Sequence, residues 1–158
     1  MAKFELAIPI VLKEEGGYVD DPHDHGGRTR YGISQKAYPN LDIKNLTVDD
    51  AKAIYQRDYW QYDGIQDQAI ANKVFSLAVL CYPRTANRLL QLATTACGHV
   101  VVCDGRLGPI TLNAVNAIPP DELLTTLKQE AVEHFQRIVA QNPEDDRFLD
   151  GWINRVRE

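Results

Sequence analysis

Three side chains near the start of the chain have the types and spacing of an acid-catalysed hydrolysis site. Glu15 precedes Gly16-Gly17, Asp24 follows it by nine residues, and Thr29 comes five after that. Cleaving a glycosidic bond takes a carboxylic acid that still carries its proton near neutral pH and can pass it to the departing sugar oxygen. A glutamate at a helix end, set against apolar or aromatic surface, meets that need because burial disfavours the charged form. The reaction also takes a group on the opposite face of the sugar to orient water. A carboxylate beside a hydroxyl, as Asp24 and Thr29 offer, can hold a water between them, and Gly26-Gly27 would let backbone approach a substrate closely.

Each assignment has a plainer reading. Glu14 reads as a solvated neighbour of Glu15. An aspartate in a Pro/Gly loop commonly caps its own turn, and Asp20 and Asp21 compete with Asp24 for a catalytic role. Thr29 also suits a hairpin by β-propensity alone. His23 and His25 flank Asp24 without a third metal ligand, so no metal is expected. Tyr31 and Trp152 could stack on sugar faces, whereas Trp60 reads as core.

These residues need a scaffold, and the chain supplies mostly helices. Phe4, Ala7, Ile8, Val11 and Leu12 share a helical face that stops at Gly16-Gly17, with Pro9 either starting the regular part or kinking it. Residues 18–38 lose that period and read as turns with a short hairpin. Thr47 is an N-cap for a helix through Ala51, Ile54, Tyr55 and Tyr59, with Asp49 and Asp50 in its first turn. Helices follow over 67–81 and 84–96, broken at Tyr82-Pro83. Val100-Val101-Val102 reads as a short strand, and the Asp104-Gly105 turn leads to a brief helix through Leu112 and Val115. Pro119-Pro120-Asp121 opens a long amphipathic helix, and a last one carries Phe148, Trp152, Ile153 and Val156. The fold class is therefore mainly α, with a small β-hairpin and loop region near the N-terminus.

At 158 residues with a net charge of -5, the chain can bury a core unaided, and it lacks the dense basic patches of a nucleic-acid binder. No stretch approaches the ~20 apolar residues of a membrane span, and Met1 to Leu12 lacks the pattern of a secretory signal. Export would need outside help. Cys81, Cys97 and Cys103 are odd in number and read as buried free thiols, the alternative being a Cys97–Cys103 bridge.

Glu15-Gly16-Gly17-Tyr18, Asp21-Pro22, Asp24, Gly26-Gly27, Thr29 and Tyr31-Gly32-Ile33-Ser34 together resemble the signature of the glycoside hydrolase family 108 muramidases. The order of Glu, Asp and Thr is also similar to that of phage-type lysozymes. The resemblance continues through Asp58-Tyr59-Trp60, Leu89-Leu90-Gln91, Asp104-Gly105 and Gly151-Trp152 to Asn154-Arg155-Val156, and departs where Leu80-Cys81-Tyr82 replaces an Asn-Met-Gly-like run. It implies a lysozyme-like fold with a catalytic part over 1–84 and a predicted peptidoglycan-binding part over 85–158, packed as one unit. It further implies Glu15 as the catalytic acid, Asp24 and Thr29 as its partners, and Tyr18, Asp21, Tyr31, Gly32 and Trp152 as saccharide contacts. The implied reaction is hydrolysis of the β-1,4 bond between N-acetylmuramic acid and N-acetylglucosamine by a monomer that needs no cofactor; inversion at the anomeric carbon is the expectation, with retention the alternative. Its partner is bacterial peptidoglycan, reached from the cytoplasm through a holin or other pore. A wall-binding protein that keeps the fold without activity is the competing expectation, and an amidase cutting the peptide stem is a third.

Overall fold

The computed structural model describes residues 1–17, the backbone of 19 and 20, and 27–158; Tyr18, Asp21 and Asp24 lie outside the described residues. Its elements are helices α1 (Phe4–Glu15), α2 (Val48–Asp58), α3 (Gln68–Cys81), α4 (Pro83–Ala96), α5 (Pro109–Ala117), α6 (Pro120–Gln141) and α7 (Asp146–Arg157). Strands β1 (Val19–Asp20), β2 (Arg28–Arg30) and β3 (Ile33–Ser34) form one antiparallel sheet in that order, between α1 and α2 in the sequence. The mainly helical class with a small β region near the N-terminus is what the pattern of periodicities indicates.

Helix α1 buries Phe4, Ala7, Ile8 and Val11 and ends on Gly16, whose φ of 69° is the left-handed conformation that a glycine adopts without steric cost. Pro9 sits inside this helix rather than at its start. It is tolerated because Pro9 and Glu5, the residue whose carbonyl loses its helical donor, are both exposed, so water can replace the missing bond. Helix α2 starts from a reciprocal capping box: Thr47 Oγ1 accepts from the Asp50 amide at 3.1 Å, and the Asp50 carboxylate accepts from the Thr47 amide at 3.2 Å.

Helix α3 is the central post, burying Ile70, Ala71, Val74, Phe75, Leu77 and Ala78 and packing against α1, α4 and α6. At its start Gln68 exchanges hydrogen bonds with the backbone of Lys3, and two turns later Ser76 donates to Glu14 at 2.9 Å. These two ties show α1 and α3 running in the same direction, so their C-terminal ends lie at the same end of the molecule. Phe4, Tyr55, Trp60, Tyr62 and Phe75 form an edge-to-face aromatic group in the core, which places Trp60 there as its apolar context indicates.

Two expectations from the sequence change. Val100-Val101-Val102 belongs to no strand; Val101 instead exchanges bonds with the Thr95 hydroxyl, and Val100 and Val102 are exposed. A strand needs a ladder partner, and β-branched residues alone do not supply one. The three cysteines are free, but each is half-buried rather than buried. The turn after Val102 is held from below by buried amides on α4: Gln91 accepts from the Gly105 amide at 2.8 Å, and Asn87 donates to the Gly105 carbonyl at 3.1 Å. Asp104-Gly105 is thus a tight turn with its polar groups satisfied by α4.

Candidate active site

Glu15 is the last residue of α1, where the helical body meets the sheet. Across from it, Tyr31 and Gly32 are the two central residues of the hairpin joining β2 to β3, with Arg30 paired to Ile33. Both have positive φ, 53° and 80°, the arrangement that lets a two-residue turn follow the right-handed twist of its strands. Tyrosine is strained there, and its carbonyl is held by the Tyr55 hydroxyl of α2 at 2.5 Å. Gly32 lies against the acid itself. A Cβ at this position would come 2.7 Å from Glu15 Cγ and 2.8 Å from Glu15 Oε2, and would also collide with the Tyr55 hydroxyl.

The opposite flank of Glu15 is Arg155 of α7. Its guanidinium forms ion pairs with the carboxylates of both Glu15 and Glu14. The side chains are largely enclosed: Arg155 is 13% exposed, Glu14 10% and Glu15 19%. Ser76 of α3 completes the group, donating to Glu14 Oε2 at 2.9 Å and receiving longer contacts from Arg155 at 3.4 Å on its hydroxyl and 3.5 Å on its carbonyl. Because Glu14 takes part of the guanidinium's charge, Arg155 is not the exclusive partner of Glu15. Burial and the nearby Glu15 carboxylate both push the Tyr55 phenol far above its ordinary pKa, so it remains a neutral hydrogen-bond donor.

Of the residues singled out by the sequence, Glu15, Tyr31 and Gly32 converge here. Thr29 is on β2, two residues before the turn, and its hydroxyl donates to the Gly27 carbonyl at 3.3 Å. Trp152 lies one turn before Arg155 on α7, set among Phe135 and Phe148 with ring centroids 5.1 and 5.7 Å away. Glu14 is a correction: it is not a solvated charge but an enclosed member of the Arg155 pair, because α3 and α7 cover that side of α1. The sequence reading missed Arg155, Ser76 and Tyr55 as neighbours of the acid, although Arg155 falls within the matched Asn154-Arg155-Val156 segment.

Glu15, enclosed between a glycine hairpin turn and a helical body, lies in a stretch that is similar to known proteins. Residues 8–81 match the family model described as glycosyl hydrolase 108. This region is similar to that family. Residues 85–157 match the model of the predicted peptidoglycan domain. Together the two matches support a glycoside hydrolase that acts on peptidoglycan. The chain is also similar to the solved structure titled "Structure of Brucella abortus SagA", with 28% sequence identity, a TM-score of 0.81, and coverage of 98% of this chain and 89% of that one. A comparison with curated protein sequences found no match. The similarity to SagA runs through both regions of the chain, and one hydrophobic cluster likewise draws on α1 to α7.

Proposed function

We propose that the hydrolase cleaves the β-1,4 bond between N-acetylmuramic acid and N-acetylglucosamine, with Glu15 passing a proton to the departing glycosidic oxygen. The single observation that carries this reading is the seat of Glu15: mostly enclosed by protein, still partly exposed, and pressed by the Gly32 turn, where a sugar crossing the sheet edge would meet it. Arg155 holds the carboxyl from one side, and the Gly32 turn, whose Tyr31 carbonyl accepts from the Tyr55 hydroxyl, bounds it from the other, which limits the orientations the proton donor can take. Asp24 and Thr29 would position the attacking water, giving inversion, and Tyr18, Asp21, Tyr31 and Gly32 would line the saccharide path. Endolysin action after passage through a membrane pore, or service to a secretion system, suits such a wall-directed activity.

The test is loss of turbidity from purified cell walls with the native protein and with Glu15→Gln. An amide cannot donate the proton, so clearing should fall by at least ~10²-fold. Equal clearing by both proteins would end the assignment, and wall binding without clearing by either would leave an adhesive protein that keeps the fold. Release of reducing ends without new amino groups separates this reaction from cleavage of the peptide stem.

A further inference from the structure

On the other side of Arg155 lies a cavity of about 810 Å³ between α1, α3, α6 and α7. Glu14, not Glu15, is in its wall, so it is a neighbour of the proposed cleavage site rather than the same space, and Arg155 forms the partition between them. Its charged lining is unbalanced. Lys13, Lys73, Lys128 and Arg155 face Glu14 and Glu158 alone. Arg155 is already engaged by Glu14 and Glu15, which leaves three lysines set against the one remaining carboxylate.

Lys73 is the unusual member. It is only 8% exposed, and its ammonium donates one hydrogen bond, to the Arg155 carbonyl at 3.0 Å, where an ammonium has three protons to give. Lys128 does the same for the Arg157 carbonyl at 3.2 Å. Both lysines therefore cap the C-terminal end of α7, yet that duty uses one donor of each. Lys128 is near enough to Lys73 to disfavour its charge, as burial does, and the Glu14 and Glu158 carboxylates only partly compensate. A buried ammonium beside a second, half-buried one is costly unless an anion accompanies them. Trp152, Leu80, Leu124 and Ile10 supply apolar wall beside the lysines. An anionic group on an apolar and amide-bearing chain suits this lining, whereas an uncharged sugar would leave the ammonium groups without a counter-charge.

We propose that this cavity binds the carboxylates of the peptide stem carried by N-acetylmuramic acid, with Lys73 and Lys128 as the anion-binding groups and Lys13 at the rim. The inference rests on the reading of the adjacent site as a peptidoglycan cleavage site: Arg155 both lines this cavity and pairs with Glu15, so the two spaces adjoin. The cavity would then select acidic, stem-bearing strands over bare glycan.

Calorimetric titration of the Glu15→Gln protein with the free tripeptide L-Ala-γ-D-Glu-meso-diaminopimelate, and with the same peptide amidated at its carboxyl groups, tests this without relying on cleavage. Binding of the acid form that weakens with salt, is about tenfold or more weaker for the amide, and is lost in Lys128→Met supports the site. Lys128→Arg, which keeps the charge, should retain it, separating anion binding from mere support of α7. Lys13→Met serves as a rim variant should Lys73→Met fail to fold. In the native enzyme, the ratio of kcat/KM on stem-bearing to amidase-stripped strands should fall in Lys128→Met. No binding of the acid peptide, or equal binding of both peptides, would overturn the proposal whether or not Glu15 proves to be the acid. Clearing that survives in Glu15→Gln while the peptide titration holds would remove the cleavage assignment and leave the stem site standing.

Discussion

Arg155 and Glu15, near opposite ends of the chain, are joined in one ion pair at the meeting of α1 and α7. The pair ties the last helix to the carboxyl proposed to do the chemistry, and the same guanidinium also holds Glu14. Removing it leaves two enclosed carboxylates without their shared cation. Arg155→Met should therefore cost about 3 kcal/mol of stability, the lower end for a broken buried pair, because Ser76 still donates to Glu14. Denaturant unfolding measures this. A loss below about 1 kcal/mol would mean that the pair behaves as a surface one.

Gly32→Ala should reduce wall clearing far more than it reduces stability. The added methyl enters the space of Glu15 Cγ, Glu15 Oε2 and the Tyr55 hydroxyl, and φ of 80° is unfavourable for alanine. The backbone strain is worth about 1–3 kcal/mol. The displaced carboxyl should cost at least ~10²-fold in rate, since its general-acid contribution depends on placement. Full activity in a folded Gly32→Ala protein would show that the turn does not position the acid.

Tyr82→Gly should raise stability. Tyr82 joins α3 to α4 with φ 74° and ψ 150°, a region almost reserved for glycine, and its side chain is 67% exposed, so little packing holds it there. Pro83 accounts for the extended ψ but not for the positive φ, which the abrupt change of direction between two helices imposes. Relief of this strain is worth about 1 kcal/mol after the added freedom of glycine in the unfolded chain is subtracted. Thermal unfolding should move up by about 2–4 °C. A lower Tm would show that the ring makes contacts stronger than the strain.

Alkaline conditions should unfold the protein through its phenols. Burial, the first cause in each case, raises the pKa of Tyr38, Tyr55 and Tyr62 well above 10.0, and burial pushes the Cys81 thiol up to about 12. Each group is then protonated in the folded state while its unfolded counterpart ionises. The unfolded state binds fewer protons, and stability, fully present below the ordinary pKa values, falls as pH rises from about 9 toward 12. Phenolate absorbance from these tyrosines should appear together with loss of helical circular dichroism. Their titration in a still-folded protein would contradict the burial.

Local features of this chain were legible in its sequence because their causes are local. The apolar face of α1, its stop at Gly16, the Thr47 cap and the Tyr82-Pro83 break each depend on residues within one or two turns, through side-chain period and backbone hydrogen bonding. Glu15 was singled out the same way, from its place before a glycine pair. Its surroundings were decided only by tertiary structure. Glu14 and Glu15 are adjacent and chemically alike, and both reach Arg155, yet about 100° of helical rotation sends one toward Ser76 of α3 and the other toward the hairpin. The lysine cavity likewise draws on four helices, and Val101 found a threonine hydroxyl where its sequence suggested a strand. Such contacts join residues far apart in the chain, and their geometry follows from how whole helices pack, which no short-range pattern encodes.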